Sequence, residues 1–538
     1  DMRQQAQWFH AATPQGQPDL WPEGSAFDRP NGYRRAMLSW YVIDPIFFRD
    51  NNLKPPMPSG AEQKHTMREI LENEVFPNRQ LPTGTPPNIP VFDLTYYPSE
   101  RGPYNYNPDL TTDGKLQDPV DNWAGITRRV NTTDFEQSNI ETIQFWLMDP
   151  LSENALNGSN EDSQNLTGGD LYIDLGNVSE DVLRDSRKSF ENGMPQDPGS
   201  AGQFPTADTD WGIVPTSQSV VNAFAITDNN SYAFQDVGLD GLRDNLSNGP
   251  DVPSEQNFPD NAAYLTQING TVTNTAARDS INADPSGDRY HFFRGSDYDN
   301  GNAGQPFDIL RRYKFFNGPE GNSISDEESP EDYPTQQTTL PSTEDINQDQ
   351  NLAESESYFQ YKVSLRPQDM VVGQNFITDR LVGTSPNGGQ VYWYQFKIPI
   401  RQPERVVNGI QDFRSIRFMR LLLKGWEQQA TLRFARLEFV RGEWRKYLQS
   451  LETAGEGEGG DPEATQFNVA AVNIEENGRR VPINYTLPPG INKETDVSSA
   501  NLRNLNEQSL QLQVCNLRDG DSRAAFRNVQ FDIRSYKK

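Results

Sequence analysis

The chain has 538 residues, enough for about three domains, yet only 34% are hydrophobic against a globular norm of about 45–50%. Its formal net charge is −28, which repels nucleic-acid phosphates and anionic lipid and excludes general binding to either. No run of about 18 apolar residues occurs, so the sequence carries no transmembrane helix.

Aromatic residues make up 11% of the chain, with nine Trp, so compact cores are affordable between polar stretches. Residues 1–120 read as an irregular aromatic and Pro-rich segment with one helix. Met67, Ile70, Leu71 and Val75 recur at helical spacing, and Pro77 stops the run. The N-terminus, DMRQQAQWFH, has neither a start Met nor the regions of a signal peptide, and it reads as a fragment or a processed product.

Residues 121–195 read as a first β-sandwich module, with strand-like runs WAGITRRV, IETIQFWLMDP and GGDLYIDLGNV. A second helix is expected after Ser179, whose hydroxyl can cap it. It would carry Val182, Leu183 and Phe190 and end near Gly193. Residues 196–357 form a polar, loop-rich region. Its end, 319–357, holds eleven acidic residues and no basic one, and reads as a linker or mobile loop.

Residues 358–450 read as a second sandwich module. Arg417 and Arg420 interrupt its apolar run IRFMRLLL, and the alternation in TLRFARLEF slips at Ala435–Arg436, as at a β-bulge. After the Gly/Glu stretch TAGEGEGGDPEAT, residues 466–538 read as a third, truncated strand-rich module. The expected fold class is mainly β: two or more antiparallel, jelly-roll-like β-sandwich modules with long irregular loops and few short helices.

Chemistry-bearing patterns are sparse. The three histidines, His10, His65 and His291, lie in separate contexts, and only His291, in DRYHFFRGSDYD, has a suggestive one. Its bland reading is a structural histidine among aromatics. No nucleophile elbow, phosphate loop, HExxH or dinucleotide glycine pattern appears. The single cysteine, Cys515, sits in LQLQVCNL and reads as a buried apolar residue. Paired carboxylates are uninformative among 76 acidic residues.

Two loops have the oxygen chemistry of a Ca2+ site: Asp236, Asp240 and Asp244 in QDVGLDGLRDN, and Asp297, Asp299 and Asn302 in GSDYDNGN. Solvated turns are the alternative for both. Calcium is the one cofactor these residues suggest. The span 391–447 carries twelve Lys/Arg against five Asp/Glu. It suits gripping the acidic 319–357 stretch, a partner or lipopolysaccharide phosphates, with plain sheet alternation as the alternative.

Several segments resemble one family. WYVIDPIFFR (40–49), YYPSERGPYNYNP (96–108), NIETIQFWLMDP (139–150), GDLYIDLGNVSEDVL (169–183), DVGLDGL (236–242), FRGSDYD (293–299), IRFMRLLLKGW (416–426), LRFARLEFVRGEWRKY (432–447) and RRVPINYTLPPGI (479–491) resemble the SprA/Sov family. The resemblance implies an internal portion of the giant outer-membrane β-barrel translocon of the type IX secretion system. That translocon exports folded cargo through a lateral opening and supports gliding motility. Secreted cargo, a plug subunit and a PorV-type shuttle protein are its implied partners. With too few barrel strands, the chain would be an extramembrane portion, extracellular cap or periplasmic, at the bacterial outer membrane. The family supplies no catalytic motif, so no enzyme is expected.

Two readings from other classes stand beside this one. A carbohydrate-binding or adhesin sandwich of the cell surface would use Tyr392, Trp393 and Tyr394 as sugar platforms. Tyr392 and Tyr394 share a face, so at least one of the trio belongs to a core. A glycosidase would use paired acids.

Overall fold

The computed structural model describes residues 1–527 except 80, 82–83, 153–161, 225–233, 244–253, 302–303, 317–339, 385–389, 443, 448–450, 452–464, 479–483, 492–494, 497–502, 505–506, 508 and 520. Twelve strands build its centre. They are β1 (Phe9–His10), β2 (Ala36–Val42), β3 (Phe92–Arg101), β4 (Trp123–Arg129), β5 (Ile140–Met148) and β6 (Asp170–Asn177). The later half adds β7 (Ser357–Ser364), β8 (Ile377–Thr384), β9 (Gln390–Pro399), β10 (Arg405–Val407), β11 (Phe418–Lys424) and β12 (Ala430–Arg441). One six-stranded sheet runs β1-β4-β11-β6-β7-β10 and the other β8-β9-β5-β12-β3-β2. All pairs within them are antiparallel. Among the described residues neither sheet closes into a barrel. The fold is mainly β, antiparallel, with few short helices.

The strand runs of 121–195 and 358–450 do not form separate modules. β11 lies between β4 and β6, and β12 lies between β5 and β3, so the two runs share both sheets. The physical reason is in the side chains. These strands are apolar on both faces and need neighbours on every side, which a short run of consecutive strands cannot supply. One core joins the sheets: Phe145, Phe396 and Phe434 from one meet Ile126, Ile173 and Leu421 from the other. The Phe145 ring stacks on Phe396 at 4.7 Å and meets Phe434 edge-on at 5.5 Å.

β12 carries the expected bulge, a register shift against β5 between Phe434 and Arg436. In β11, Met419, Leu421 and Leu423 enter the shared core while Phe418 and Leu422 pack on the opposite face. Arg420, on that opposite face, is fully buried.

Both expected helices change. Only α1 (Glu72–Val75) forms in the first run, and Leu71 is exposed. Ile89 N donates to Ile70 O and Glu72 N to Pro87 O, at 3.0 and 2.7 Å, so a neighbouring chain segment takes the bonds a longer helix would use. No helix follows Ser179. Glu344 accepts from Val182 N, Leu183 N and Ser189 N at 2.8, 3.2 and 2.9 Å. Asp181 accepts from Asp185 N and Ser186 N. Carboxylates thus collect the backbone donors, and only a short 3-10 turn, Glu191–Gly193, appears.

Helices do occur in the region read as polar loop: α2 (Pro259–Thr271) and α3 (Thr275–Ala283). α2 buries Tyr264, Leu265 and Ile268 in the core, and Asn274 caps α3 by accepting from Ala277 N at 3.3 Å. The acidic stretch is also different where it is described. Residues 340–357 pack on the sandwich, and 319–339 lie outside the described residues. The hairpin Gln466–Val472 with Ser509–Cys515 forms a two-stranded sheet of its own, and Cys515 is exposed rather than buried. Its strand is uncovered along its length, so no core encloses the thiol.

Candidate functional site

The structure describes four of the six residues of the sequence-derived cation loops. Asp297 lies 3.2 Å from His291 Nε2, and Asp299 pairs with the buried Arg312 at 2.8 Å, so the two carboxylates serve different partners. Asn302 and Asp244 lie outside the described residues. Asp236 is half-buried. Asp240 is buried, and it meets two residues that sequence reading did not single out, Glu255 and Asp288.

One carboxylate oxygen from each of these three lies within 4.8 Å of the others. All three are buried, Glu255 fully. They come from three segments. Asp240 sits in a turn where Gly238 and Gly241 adopt φ of 71° and 66°, and its Oδ1 accepts from Leu242 N at 2.9 Å. A Cβ on Gly238 would lie 2.0 Å from Asp288 Oδ2, so that approach requires glycine. Glu255 precedes α2, and its N donates to Arg243 O at 3.0 Å. Asp288 follows α3. The buried Ser286 hydroxyl donates to Glu255 Oε1 and lies within bonding distance of Asp288 Oδ1, tying the two acids together.

Aromatic side chains wall the group. Tyr104 Oη accepts from Leu239 N at 2.9 Å. Tyr106, 1% exposed, packs against Trp211 and Tyr264, and its hydroxyl has no hydrogen-bond partner among the described residues. Burial, then the fields of Asp240 and Glu255 and, more weakly, Asp288, hold that hydroxyl firmly protonated. The donors are hard oxygens, with neither His nor Cys in the group, a set suited to a hard divalent cation. The missed partners were invisible because spacing within one loop says nothing of Glu255 and Asp288, which the helical hairpin carries back.

A second constellation lies in the acidic stretch. Asp345, Asn347, Asp349 and Glu356 stand at the first, third, fifth and twelfth positions of an EF-hand spacing, and Gln350, at the glycine position, has φ of 71°. That pattern was readable and was missed. Basic side chains occupy it instead. Arg417 reaches Asp349 at 2.5 Å, Lys188 reaches Asp345 at 3.8 Å and Arg420 reaches Glu356 at 2.5 Å. Arg417 and Arg420 of the basic span 391–447 therefore grip the described part of the acidic stretch, one of the readings its charge allowed. Glu356 also accepts from Gln15 N and Ser179 N, at 2.7 and 3.0 Å, so it fastens the N-terminal segment and the loop after β6 to the sheet.

The histidines are scattered. His10 is buried, bonds Tyr290 Oη at 2.6 Å, and is pushed down to about 3 by burial and the nearby Arg35, so it stays neutral. His65 Nδ1 accepts from Arg68 Nε at 3.2 Å. The aromatic trio is not a platform: Trp393 is buried with its Nε1 donating to Glu74 at 2.8 Å, Tyr394 is in the core, and Tyr392 packs against that core.

A family model described as a motility related/secretion protein matches residues 263–538, just over half of the 538. The chain belongs to the SprA/Sov family. A secretion- and motility-related role follows from that membership. The match spans β7 to β12, including IRFMRLLLKGW and LRFARLEFVRGEW, and takes in Asp288 but neither Asp240 nor Glu255. No curated protein matches the chain. Among the described residues no helix is long and apolar enough to cross a membrane.

Proposed function

We propose that this chain is a non-catalytic extramembrane segment of the outer-membrane protein-export channel of the type IX secretion system. It shapes the passage for folded cargo and supports gliding motility. The observation that carries this reading is a two-sheet sandwich with one shared core in a chain of net charge −28, within a secretion family. A wall of this kind is stiff because its strands are apolar on both faces, and its net negative charge keeps passing proteins from adhering. The scattered histidines agree with a mechanical rather than a chemical role. Secreted cargo, a plug subunit and a PorV-type shuttle protein are the partners this role calls for, at the bacterial outer membrane, in the cap or on the periplasmic side.

The test is site-specific photocrosslinking in cells that carry the whole protein. Probes replace exposed side chains such as Val220, Val382 and Val406, which are 85%, 51% and 54% exposed. Crosslinks to secreted proteins in transit, lost when export is blocked upstream, are expected. A scan of exposed positions that captures no cargo while export proceeds sinks the proposal.

A further inference from the structure

We propose that Asp240, Glu255 and Asp288 form a structural calcium site that clamps the helical hairpin α2–α3 and the turn 238–241 onto the segment around Tyr106. The geometry fits the ion. Oxygens bound to one Ca2+ at about 2.4 Å cannot be more than about 4.8 Å apart. The three carboxylate oxygens meet that limit. They come from separate segments and converge in the interior, unlike acids on a solvated turn. Three carboxylate oxygens and the Ser286 hydroxyl that joins two of the acids are hard donors, and bound water completes the six to eight that calcium takes.

A second observation points the same way. The Tyr106 hydroxyl is buried, has no hydrogen-bond partner among the described residues, and lies in the field of all three carboxylates. A polar group left this way in a packed interior is costly unless something in the site completes its shell. An ion with a bound water beside Tyr106 does so.

Terbium is the probe. It occupies calcium sites, and its emission is excited through a nearby Tyr or Trp, here Tyr106 with Trp211 beside it. With the purified chain, saturable sensitised emission that calcium displaces is expected. So is a thermal midpoint that EGTA lowers and calcium restores, in proportion to ln(1 + [L]/Kd). Asp240→Asn with Asp288→Asn should weaken binding by roughly tenfold or more, and Asp349→Asn should leave it unchanged. Wild-type protein without saturable terbium emission, or with a midpoint unmoved by EGTA, overturns the site. So does binding that Asp349→Asn abolishes. Both wild-type measurements stand even where the double variant fails to fold.

Discussion

Arg420 shows how much of this protein's behaviour sits in single buried charges. Its side chain is fully buried and bonds Asp174 at 2.9 Å and Glu356 at 2.5 Å. Burial pushes the Asp174 carboxyl up to about 6, even with Arg420 beside it. A carboxyl raised in the folded state takes up protons on folding. Its contribution to stability is therefore largest at low pH and is lost as pH rises from about 4 through about 6. Arg420→Met removes the partner and raises that carboxyl further. The variant should lose about 3–5 kcal/mol at pH 7.5, the usual cost of an orphaned buried charge, and less at pH 5, where Asp174 is protonated. Urea midpoints at the two pH values check it. A deficit independent of pH would show that packing, not charge, is what Arg420 supplies. In the sequence this arginine was visible only as an interruption of an apolar run. Its partners lie 246 and 64 residues away, so no local pattern names them.

At the scale of elements, strands were far more legible than helices. Alternation and β-branched runs marked β4, β5, β6, β9, β11 and β12, and even the bulge at Ala435 was written in the slip of TLRFARLEF. Helix signals failed at 67–75 and after Ser179 because tertiary carboxylates and carbonyls took the backbone bonds. They succeeded unseen at α2, where Tyr264, Leu265 and Ile268 hold helical spacing within a polar region. The bulge gives a sharp prediction. On either side of Ala435, Phe434, Leu437 and Phe439 already face the core, with Arg436 and Glu438 pointing away. Deleting Ala435 leaves a regular ladder with every face unchanged, so it should fold with a cooperative melt at a cost of about 2 kcal/mol or less. Deleting Leu432 instead turns part of β12 inside out and should cost roughly 3 kcal/mol or more. Equal melting temperatures for the two deletions would refute the register argument.

At the scale of the molecule, sequence reading found the class and missed the unit. Domain boundaries were drawn from composition, whereas the sandwich is assembled across those boundaries by pairing that composition does not encode. The family-matched half, 263–538, holds β7 to β12 but none of β1 to β6. Expressed alone it should fail to give a cooperative unfolding transition, and co-expression with 1–262 should restore one. A sharp, independent melt of the isolated half would mean that β11 and β12 find other partners. The candidate cation site divides the same way, with Asp288 in one half and Asp240 and Glu255 in the other.

The interleaved strand order also sets a clock. Arg433 on β12 bonds Asp93 on β3 across 340 residues of chain. Neither sheet can be completed until the last of its strands has been synthesised and delivered to the compartment where folding occurs. Such non-local pairing slows folding by orders of magnitude relative to local contacts. During that wait, strands apolar on both faces lie open to one another and to neighbouring molecules. Yield in a heterologous host is therefore expected to rise when a holding chaperone is co-expressed, and an unchanged soluble yield would count against this interval as the limiting step.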